Sequence, residues 1–257
     1  MSFVNSYRYA SGGGCSDPDV TAIVARMTVP PSTARETAIC ELVTGLKADG
    51  IWSKLDLLYV MAAHDMQAAS LNWIDASFDY SLSAGVLVPD VGVQPNVNII
   101  INTNYAPLLD STNYALNDAS FGGVWDGLAN GVLIGARNGS INNLLRGFSL
   151  TDIRGFNQGG SNVLTVDTPT GFVLDSLNSG TVTRYKNGSL IDTQSRAPNA
   201  SFSGISTFFL GTRNTNNVST DIIETSATIR MAFCSSSLTG TEAADFNTRI
   251  GNYFAAL

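Results

Sequence analysis

The texture of the sequence changes abruptly near Trp73. Residues 18–75 carry capping residues and an apolar period of about 3.6, which is typical of helices. From Ser77 to about Thr239, short apolar runs alternate with Gly, Asn, Ser and Thr, a pattern typical of strands joined by turns. We therefore predict three parts: an N-terminal arm (1–16), a small helical module (17–75) and a β domain that ends in a helix (76–257).

Capping residues predict three helices in the module. Asp17-Pro18 is a strong start signal, because Asp accepts hydrogen bonds from free helical N–H groups and Pro suits the first helical position. Ser32 can cap a second helix, and Gly50 can end it. Ser53 with Asp56 three residues later resembles a capping box, and the apolar stripe behind it predicts a third helix.

About ten short strands are predicted in the β domain. Asn187-Gly188 between two β-prone segments is a strong hairpin signal. Short strands at regular spacing favour a two-layer antiparallel sandwich. A final helix is predicted over 241–254, capped by Thr239 or Thr241. The strand candidates are 97–101, 131–134, 162–166, 171–174, 181–186, 189–191, 208–211 and 227–233.

The polarity of the chain comes mainly from uncharged side chains. Asp, Glu, Lys and Arg make up 14% of the 257 residues, against roughly 25% in soluble domains. Uncharged groups lose less on desolvation than ions do, so such a surface suits packing against copies of the chain or other subunits. Abundant turns select the same residues, and both explanations stay open.

Two partner classes are not expected. The net charge is −7 and the 14 basic residues are scattered, whereas nucleic-acid binding needs clustered Lys and Arg. The sequence has no run of 18 or more apolar residues, so we expect no transmembrane helix. The first ten residues lack the regions of a signal peptide, so we expect none.

The three cysteines cannot all pair within one chain. Cys40 and Cys234 lie in apolar segments, and each is predicted to be a small buried side chain. Cys15 follows three glycines in a flexible segment, so it can reach a neighbouring molecule. We hypothesise an intermolecular disulfide at Cys15, against the alternative that it stays reduced.

No catalytic or metal-binding cluster is recognisable. His64 is the single histidine and lies at helical spacing, which favours a packing or capping role over zinc or a catalytic triad. The Glu-x-Asp-x-x-Glu pattern of jelly-roll glucanases is absent. The nearest pair, Asp221 and Glu224, would lie on opposite faces of a strand. We therefore expect no enzyme activity, no cofactor and no metal.

Glycan binding needs exposed aromatic side chains and convergent polar groups. Four residues in loop-like or strand-edge sequence are candidates: Tyr105, Tyr114, Trp125 and Arg137. Ordinary core packing is the favoured alternative for Trp125, because large aromatic side chains are usually well buried.

Two stretches resemble known families. Residues 52–65, WSKLDLLYVMAAHD, with the QAA and LNW that follow, look like a helical segment that precedes β domains in structural proteins of tailed bacteriophages. RYKNG at 184–188, FLG at 209–211 and AFC at 232–234 resemble the hairpin and strands of concanavalin A-like (laminin-G-like) jelly rolls. Many members of that superfamily bind glycans and some bind Ca²⁺, but no acidic loop with Ca²⁺ spacing is present here.

The resemblance implies a structural component of a phage virion. We expect a tail, collar or head fibre or a decoration protein that forms trimers, as the resemblance implies, with the jelly roll facing outward. The arm or the helical module would attach it to other virion proteins, after assembly in the host cytoplasm. The alternative function is a carbohydrate-binding, receptor-recognition module of a tail fibre, whose partner is a glycan on the host surface.

Overall fold

The computed structural model describes most of the chain outside its N-terminal arm. Outside the described residues lie most of the strand predicted at 97–101, part of the strand predicted at 162–166, and the pair Asp221 and Glu224. The described residues are 14–80, 86–94, 101–126, 130–138, 141–148, 152–154, 164–165, 170–195, 209–210, 214–215, 218–219 and 228–257.

Five helices lie in the described ranges, and two short 3₁₀ turns cover Trp52–Lys54 and Ala76–Phe78. None of these helices is long and apolar enough to cross a bilayer. The helices are α1 (Pro18–Ala25), α2 (Thr33–Ala48), α3 (Met66–Ala69), α4 (Pro107–Asp110) and α5 (Gly240–Ala255).

Sixteen strands are described, most of them between Asp118 and Ser235. They are β1 (Leu55–Val60), β2 (Val86–Val88), β3 (Gly92–Gln94), β4 (Ile101–Asn102), β5 (Asp118–Asp126), β6 (Asn130–Asn138), β7 (Ile141–Phe148), β8 (Asp152–Arg154), β9 (Leu164–Thr165), β10 (Gly171–Asn178), β11 (Thr181–Lys186), β12 (Ser189–Ser195), β13 (Phe209–Leu210), β14 (Asn214–Thr215), β15 (Val218–Ser219) and β16 (Thr228–Ser235).

The strands form two sheets, which confirms the predicted antiparallel β-sandwich. The first sheet has the order β12-β11-β10-β5-β16-β3-β2, with β1 also paired to β16. The second has the order β15-β14-β6-β7-β8-β9, with β13 between β4 and β6. Every described pairing is antiparallel except that of β14 with β6. Ile101 and Ile134 of the second sheet belong to the same buried cluster as the first sheet, so one core joins the two layers.

Helix α5 covers the first sheet through an aromatic cluster. The Phe246 ring lies 4.7 Å from Phe233 of β16 and 5.6 Å from Phe172 of β10. Its capping box is complete, because the Thr239 hydroxyl accepts from the Glu242 N–H and the Glu242 carboxylate accepts from the Thr239 N–H. The predicted cap of the last helix is therefore Thr239 and not Thr241.

The local signals at the start of the chain are confirmed. Asp17 caps α1 with Pro18 at its first position, and Ser32 caps α2. Gly50 has a φ of 73°, the left-handed conformation that lets a helix end. The Asn187-Gly188 turn joins β11 to β12, and both residues have positive φ (48° and 78°) as a tight hairpin requires.

The predicted third helix is wrong. Leu55–Val60 is strand β1, and all six of its residues are buried. A strand that is buried on both faces has a continuous apolar sequence, which also satisfies helical spacing. The proposed capping pair therefore has a different role: Ser53 lies in a 3₁₀ turn, and Asp56 lies on the strand.

This correction also changes the predicted division of the chain. β1 pairs with β16, from Leu55 opposite Ser235 to Val60 opposite Met231. Arg249 of α5 forms an ion pair with Asp49 at the end of α2, with an Nε–Oδ2 distance of 2.7 Å. The segment predicted as a separate helical module, residues 17–75, thus shares a sheet and a core with the β domain.

Gly122 at the centre of β5 provides a test of the packing between β5 and its neighbours. A Cβ there would lie 2.3 Å from the Val173 carbonyl oxygen and 2.9 Å from the Phe233 ring. We expect Gly122→Ala to lower the free energy of unfolding by about 1–3 kcal/mol, because the backbone must move. Gly251→Ala is the matched control, since nothing lies within 4 Å of its Cβ position in α5. Urea denaturation should give Gly251→Ala a free energy of unfolding up to about 1 kcal/mol higher than that of the wild-type chain, because Ala favours a helix more than Gly does. Equal effects of the two substitutions would contradict this packing.

Candidate functional site

Three of the four predicted glycan-binding residues are not exposed. Tyr105, Tyr114 and Trp125 are 0%, 2% and 1% exposed, so none presents an aromatic surface to a ligand. Trp125 lies on β5 between β10 and β16, where the core packing favoured as its alternative applies. Arg137 lies on β6, and its side chain is outside the described residues. The prediction of an exposed aromatic site at these positions is therefore wrong.

The predicted intermolecular disulfide at Cys15 is also wrong in this structure. Cys15 forms a disulfide with Cys40 of α2, so its sulfur is already bonded within the chain. Cys40, predicted as a simple buried thiol, is the partner. Cys234 is a buried free thiol as predicted, and burial together with the nearby Asp56 raises its pKa well above the usual value.

His64 has a structural role among the described residues. Its Nε2 atom lies 2.8 Å from the Val29 carbonyl oxygen, so this nitrogen carries the proton and donates. The adjacent Asp65 caps α3 by accepting from the Ala68 N–H. Across the described part of the chain, no group of three His, Cys, Asp or Glu side chains is placed to hold a metal ion.

A cleft of about 340 Å³ opens beside the start of β1. This volume is at the lower end of the range of roughly 300–1,000 Å³ for small-molecule sites. Three separate parts of the chain form the cleft: the start of β1, the 3₁₀ turn after residue 73, and the segment from Tyr105 to Asn113. Its lining residues are Leu55, Asp56, Ile74, Asp75, Ala76, Phe78, Tyr105, Asp110, Thr112 and Asn113.

Asp56 holds two of these parts together. Its carboxylate is 6% exposed and accepts hydrogen bonds from the Asn113 N–H (2.9 Å), the Tyr114 N–H (2.8 Å) and the Tyr105 hydroxyl (2.9 Å). The Asn113 side-chain amide adds a fourth donor at 3.1 Å. Burial, followed by the nearby Cys234 and Asp56, raises the pKa of Tyr105 far above its usual value, so the phenol stays protonated and donates.

The rim of the cleft carries two further carboxylates. Asp75 is exposed and caps the 3₁₀ turn, with its Oδ1 accepting from the Ser77 N–H at 2.8 Å. Asp110 is half-buried, and its Oδ2 accepts from the Ala106 N–H at 2.7 Å. In both residues the backbone donor engages one carboxylate oxygen, and the other oxygen has no hydrogen-bond partner among the described residues. Each rim carboxylate can therefore accept a hydrogen bond from a ligand.

One wall of the cleft is apolar. Ile74 and Phe78 are half-buried, and the Phe78 ring meets Tyr105 edge-on at 5.3 Å. The Tyr59 hydroxyl donates to the Phe78 carbonyl oxygen at 2.6 Å, which fixes the backbone of the turn. The cleft thus combines an apolar wall, exposed carboxylate oxygens, and the hydroxyl and amide of Thr112 and Asn113. No Lys, Arg or His is among the residues described as lining it.

The sequence predicts one residue of this cleft as a site residue, but for the wrong reason. Most of the other lining residues are not predicted. Tyr105 was predicted as a ligand platform but is a buried wall. Asp56 was predicted as a helix cap, although a charged residue inside the apolar run LDLLYV is itself a signal of a buried polar site. Asp75, Asp110 and Asn113 gave no signal, because each lies in an ordinary turn sequence.

No protein-family model and no curated protein matches the sequence. Solved structures are similar in fold. A Trypanosoma rangeli sialidase mutant with trans-sialidase activity matches with a TM-score of 0.55 at 13% identity, covering 84% of this chain and 39% of the sialidase chain. The Trypanosoma rangeli sialidase in complex with sialic acid matches with a TM-score of 0.51 at 13% identity, covering 82% of this chain and 38% of the sialidase chain. A botulinum neurotoxin type C structure matches with a TM-score of 0.52 at 14% identity, covering 79% of this chain and 53% of the toxin chain. Cell entry of that toxin depends on interaction with two ganglioside molecules.

These similarities establish the fold. The chain spans about two-fifths of the length of the sialidase chains and about half of the toxin chain. At 13–14% identity the agreement lies in the arrangement of antiparallel strands. The trans-sialidase activity and the interaction with gangliosides are properties of those proteins.

Proposed function

We propose that this chain is a carbohydrate-binding β-sandwich module that does not turn over its ligand. The observation that carries the proposal is the cleft beside β1, which is lined both by apolar side chains and by hydrogen-bonding groups of Asp75, Asp110 and Thr112. A sugar ring has an apolar C–H face and a rim of hydroxyl groups. A site for such a ring needs one wall of each kind, which this cleft supplies.

The rim carboxylates are suited to sugar hydroxyl groups. A carboxylate oxygen is a strong acceptor, and hydrogen bonds to charged groups are roughly twice as strong as neutral ones. The oxygens of Asp75 and Asp110 that take no backbone donor are available to sugar hydroxyl groups. Ile74 and Phe78 would contact the C–H face. The fold that the chain shares with a sialidase and a ganglioside-dependent toxin supports this ligand class.

The two buried polar groups of the cleft are unsuited to catalysis. Glycosidases use a pair of free carboxyl groups, or a Tyr nucleophile in sialidases. The Asp56 carboxylate already accepts four donors, and Tyr105 is fully buried with its hydroxyl bound to Asp56. Neither group can reach a glycosidic bond without breaking these contacts. We expect purified protein to leave a bound glycan intact, which mass spectrometry of the recovered glycan would check.

The wider role that we propose is display on a phage virion. The module would recognise a glycan on the host surface as part of a tail fibre or a related structural protein, as a trimer attached through its N-terminal arm. The low proportion of charged residues, 14%, supports packing against other subunits of a particle. Antibody labelling of intact particles, imaged by electron microscopy, should mark an exposed fibre or collar; unlabelled particles would contradict it.

A glycan array tests the binding function with the intact chain. We expect a restricted set of glycans to bind, and Asp75→Asn to weaken that binding at least tenfold. Asn keeps the acceptor that caps the turn, so the fold should be retained. Glu41→Gln is the matched control, because Glu41 is exposed on α2 and the substitution changes the charge equally. Equal binding by both variants would exclude the cleft as the sugar site.

A further inference from the structure

The charge around the cleft differs from what an acidic sugar needs. Three carboxylates contribute to its lining, from Asp56, Asp75 and Asp110, and no described lining residue carries a positive charge. Recognition of a ligand carboxylate usually depends on Arg or Lys, often with two parallel hydrogen bonds. No Arg or Lys is among the lining residues that the structure describes.

The basic side chains close by in the sequence are directed elsewhere. Lys54 precedes the lining residue Leu55, but its Nζ lies 2.5 Å from the Glu242 carboxylate of α5. Arg26 contacts the same loop as Asp75, but its guanidinium binds Asp79 at 2.9 Å and the Asn72 carbonyl oxygen at 2.6 Å. Both cations are already paired with other carboxylates, so neither Lys54 nor Arg26 is free to offset the negative charge of the cleft.

We infer that the cleft takes uncharged sugars and rejects sialic acids and uronic acids; this inference rests on the proposed function. The rim oxygens of Asp75 and Asp110 accept hydroxyl hydrogens but repel a carboxylate. Asp56 has all its hydrogen bonds within the protein and acts on the ligand only through its charge. The chain therefore shares its fold with a sialidase solved with sialic acid while excluding that class of ligand.

The test compares glycans that differ only in charge. An array should carry neutral oligosaccharides, glucosides beside glucuronides, and the neutral methyl esters of sialosides beside the same sialosides as free acids. Dissociation constants for each pair are then measured by calorimetry at 50 mM and 500 mM NaCl. We expect the acidic member to bind at least tenfold more weakly at low salt, with a smaller ratio at high salt because salt screens the repulsion.

Substitutions test whether the two rim carboxylates cause the discrimination against acidic sugars. The double variant Asp75→Asn/Asp110→Asn removes two negative charges, so the ratio between the neutral and acidic members should move towards one, even though neutral binding weakens. Glu41→Gln should leave the ratio unchanged.

The outcomes separate the two proposals. Acidic members that bind as tightly as their neutral counterparts would overturn the charge selectivity but leave carbohydrate binding in place. Absence of binding to every glycan on the array would overturn both. An unchanged ratio in the double variant would also overturn the assignment to Asp75 and Asp110.

Discussion

Asp175→Ala is expected to lower the free energy of unfolding by about 3–5 kcal/mol, the range observed when one partner of a buried ion pair is removed. Asp175 on β10 and Arg184 on β11 are directly opposite each other in the antiparallel register, and both are 0% exposed. The guanidinium donates twice to the carboxylate, from Nε at 2.6 Å and from Nη2 at 2.5 Å. Removal of the carboxylate leaves a guanidinium charge inside the protein without this partner.

The double variant Asp175→Leu/Arg184→Met is the control for this prediction. Replacement of a buried ion pair by apolar side chains of similar size is often neutral or stabilising, because both desolvation costs disappear together. Guanidinium chloride denaturation should therefore give the double variant a free energy of unfolding closer to that of the wild-type chain than to that of Asp175→Ala. A single variant within 1 kcal/mol of the wild type would contradict the burial of the pair.

Reduction of the Cys15–Cys40 disulfide is expected to lower the free energy of unfolding by about 3–4 kcal/mol, the value that chain entropy gives for a loop of this length. The bond joins residues 25 positions apart and ties the segment before α1 to the middle of α2. The same segment is held by Lys47, whose Nζ lies 2.7 Å from Asp17. This ion pair remains after reduction, so the effect is on stability and not on the fold.

A cysteine variant separates this effect from that of the free thiol. Denaturation curves of Cys15→Ser should be identical with and without reductant, and should match those of the reduced wild-type chain. Cys234 is buried and protonated, so a reductant does not change it in the folded state. A wild-type midpoint that does not depend on reductant would show that the two sulfurs are not bonded.

The features that the sequence predicts well are local. The helix caps at Asp17, Ser32 and Thr239 depend on side chains that bond the next turn of the same chain, so a short motif contains all the necessary information. The Asn187-Gly188 hairpin is similar, because two residues with positive φ determine the turn. The sandwich class follows from the spacing of such turns along the chain.

The features that sequence reasoning missed depend on distant parts of the chain. Strand β1 pairs with β16, about 175 residues later in the sequence, and this burial on both faces removes the alternation that would have distinguished it from a helix. The Cys15 disulfide depends on the position of α2. The cleft needs the β1 start, the turn at Asp75 and the Asn113 segment to come together. Contacts between such distant segments leave no periodic pattern in the sequence.

The candidate aromatic residues illustrate the same limit. Tyr105, Tyr114 and Trp125 were selected because they lie near turns, yet each is buried by residues far away in the sequence. Large aromatic side chains contribute most to a core, so position near a turn is weak support for exposure. The ligand-facing groups of the cleft are instead small polar side chains, which are common on any surface.

The most direct measurement is a titration of the ¹⁵N-labelled chain with the neutral glycan that binds best on the array, followed by backbone amide NMR. A sugar bound beside β1 should shift the amide signals of Asp75, Ala76, Thr112 and Asn113, the residues that form the rim of the cleft. Asp75→Asn should reduce these shifts at the same glycan concentration. Shifts confined to α2, α5 or the β11–β12 hairpin, or no shifts at millimolar glycan, would contradict a carbohydrate site in this cleft.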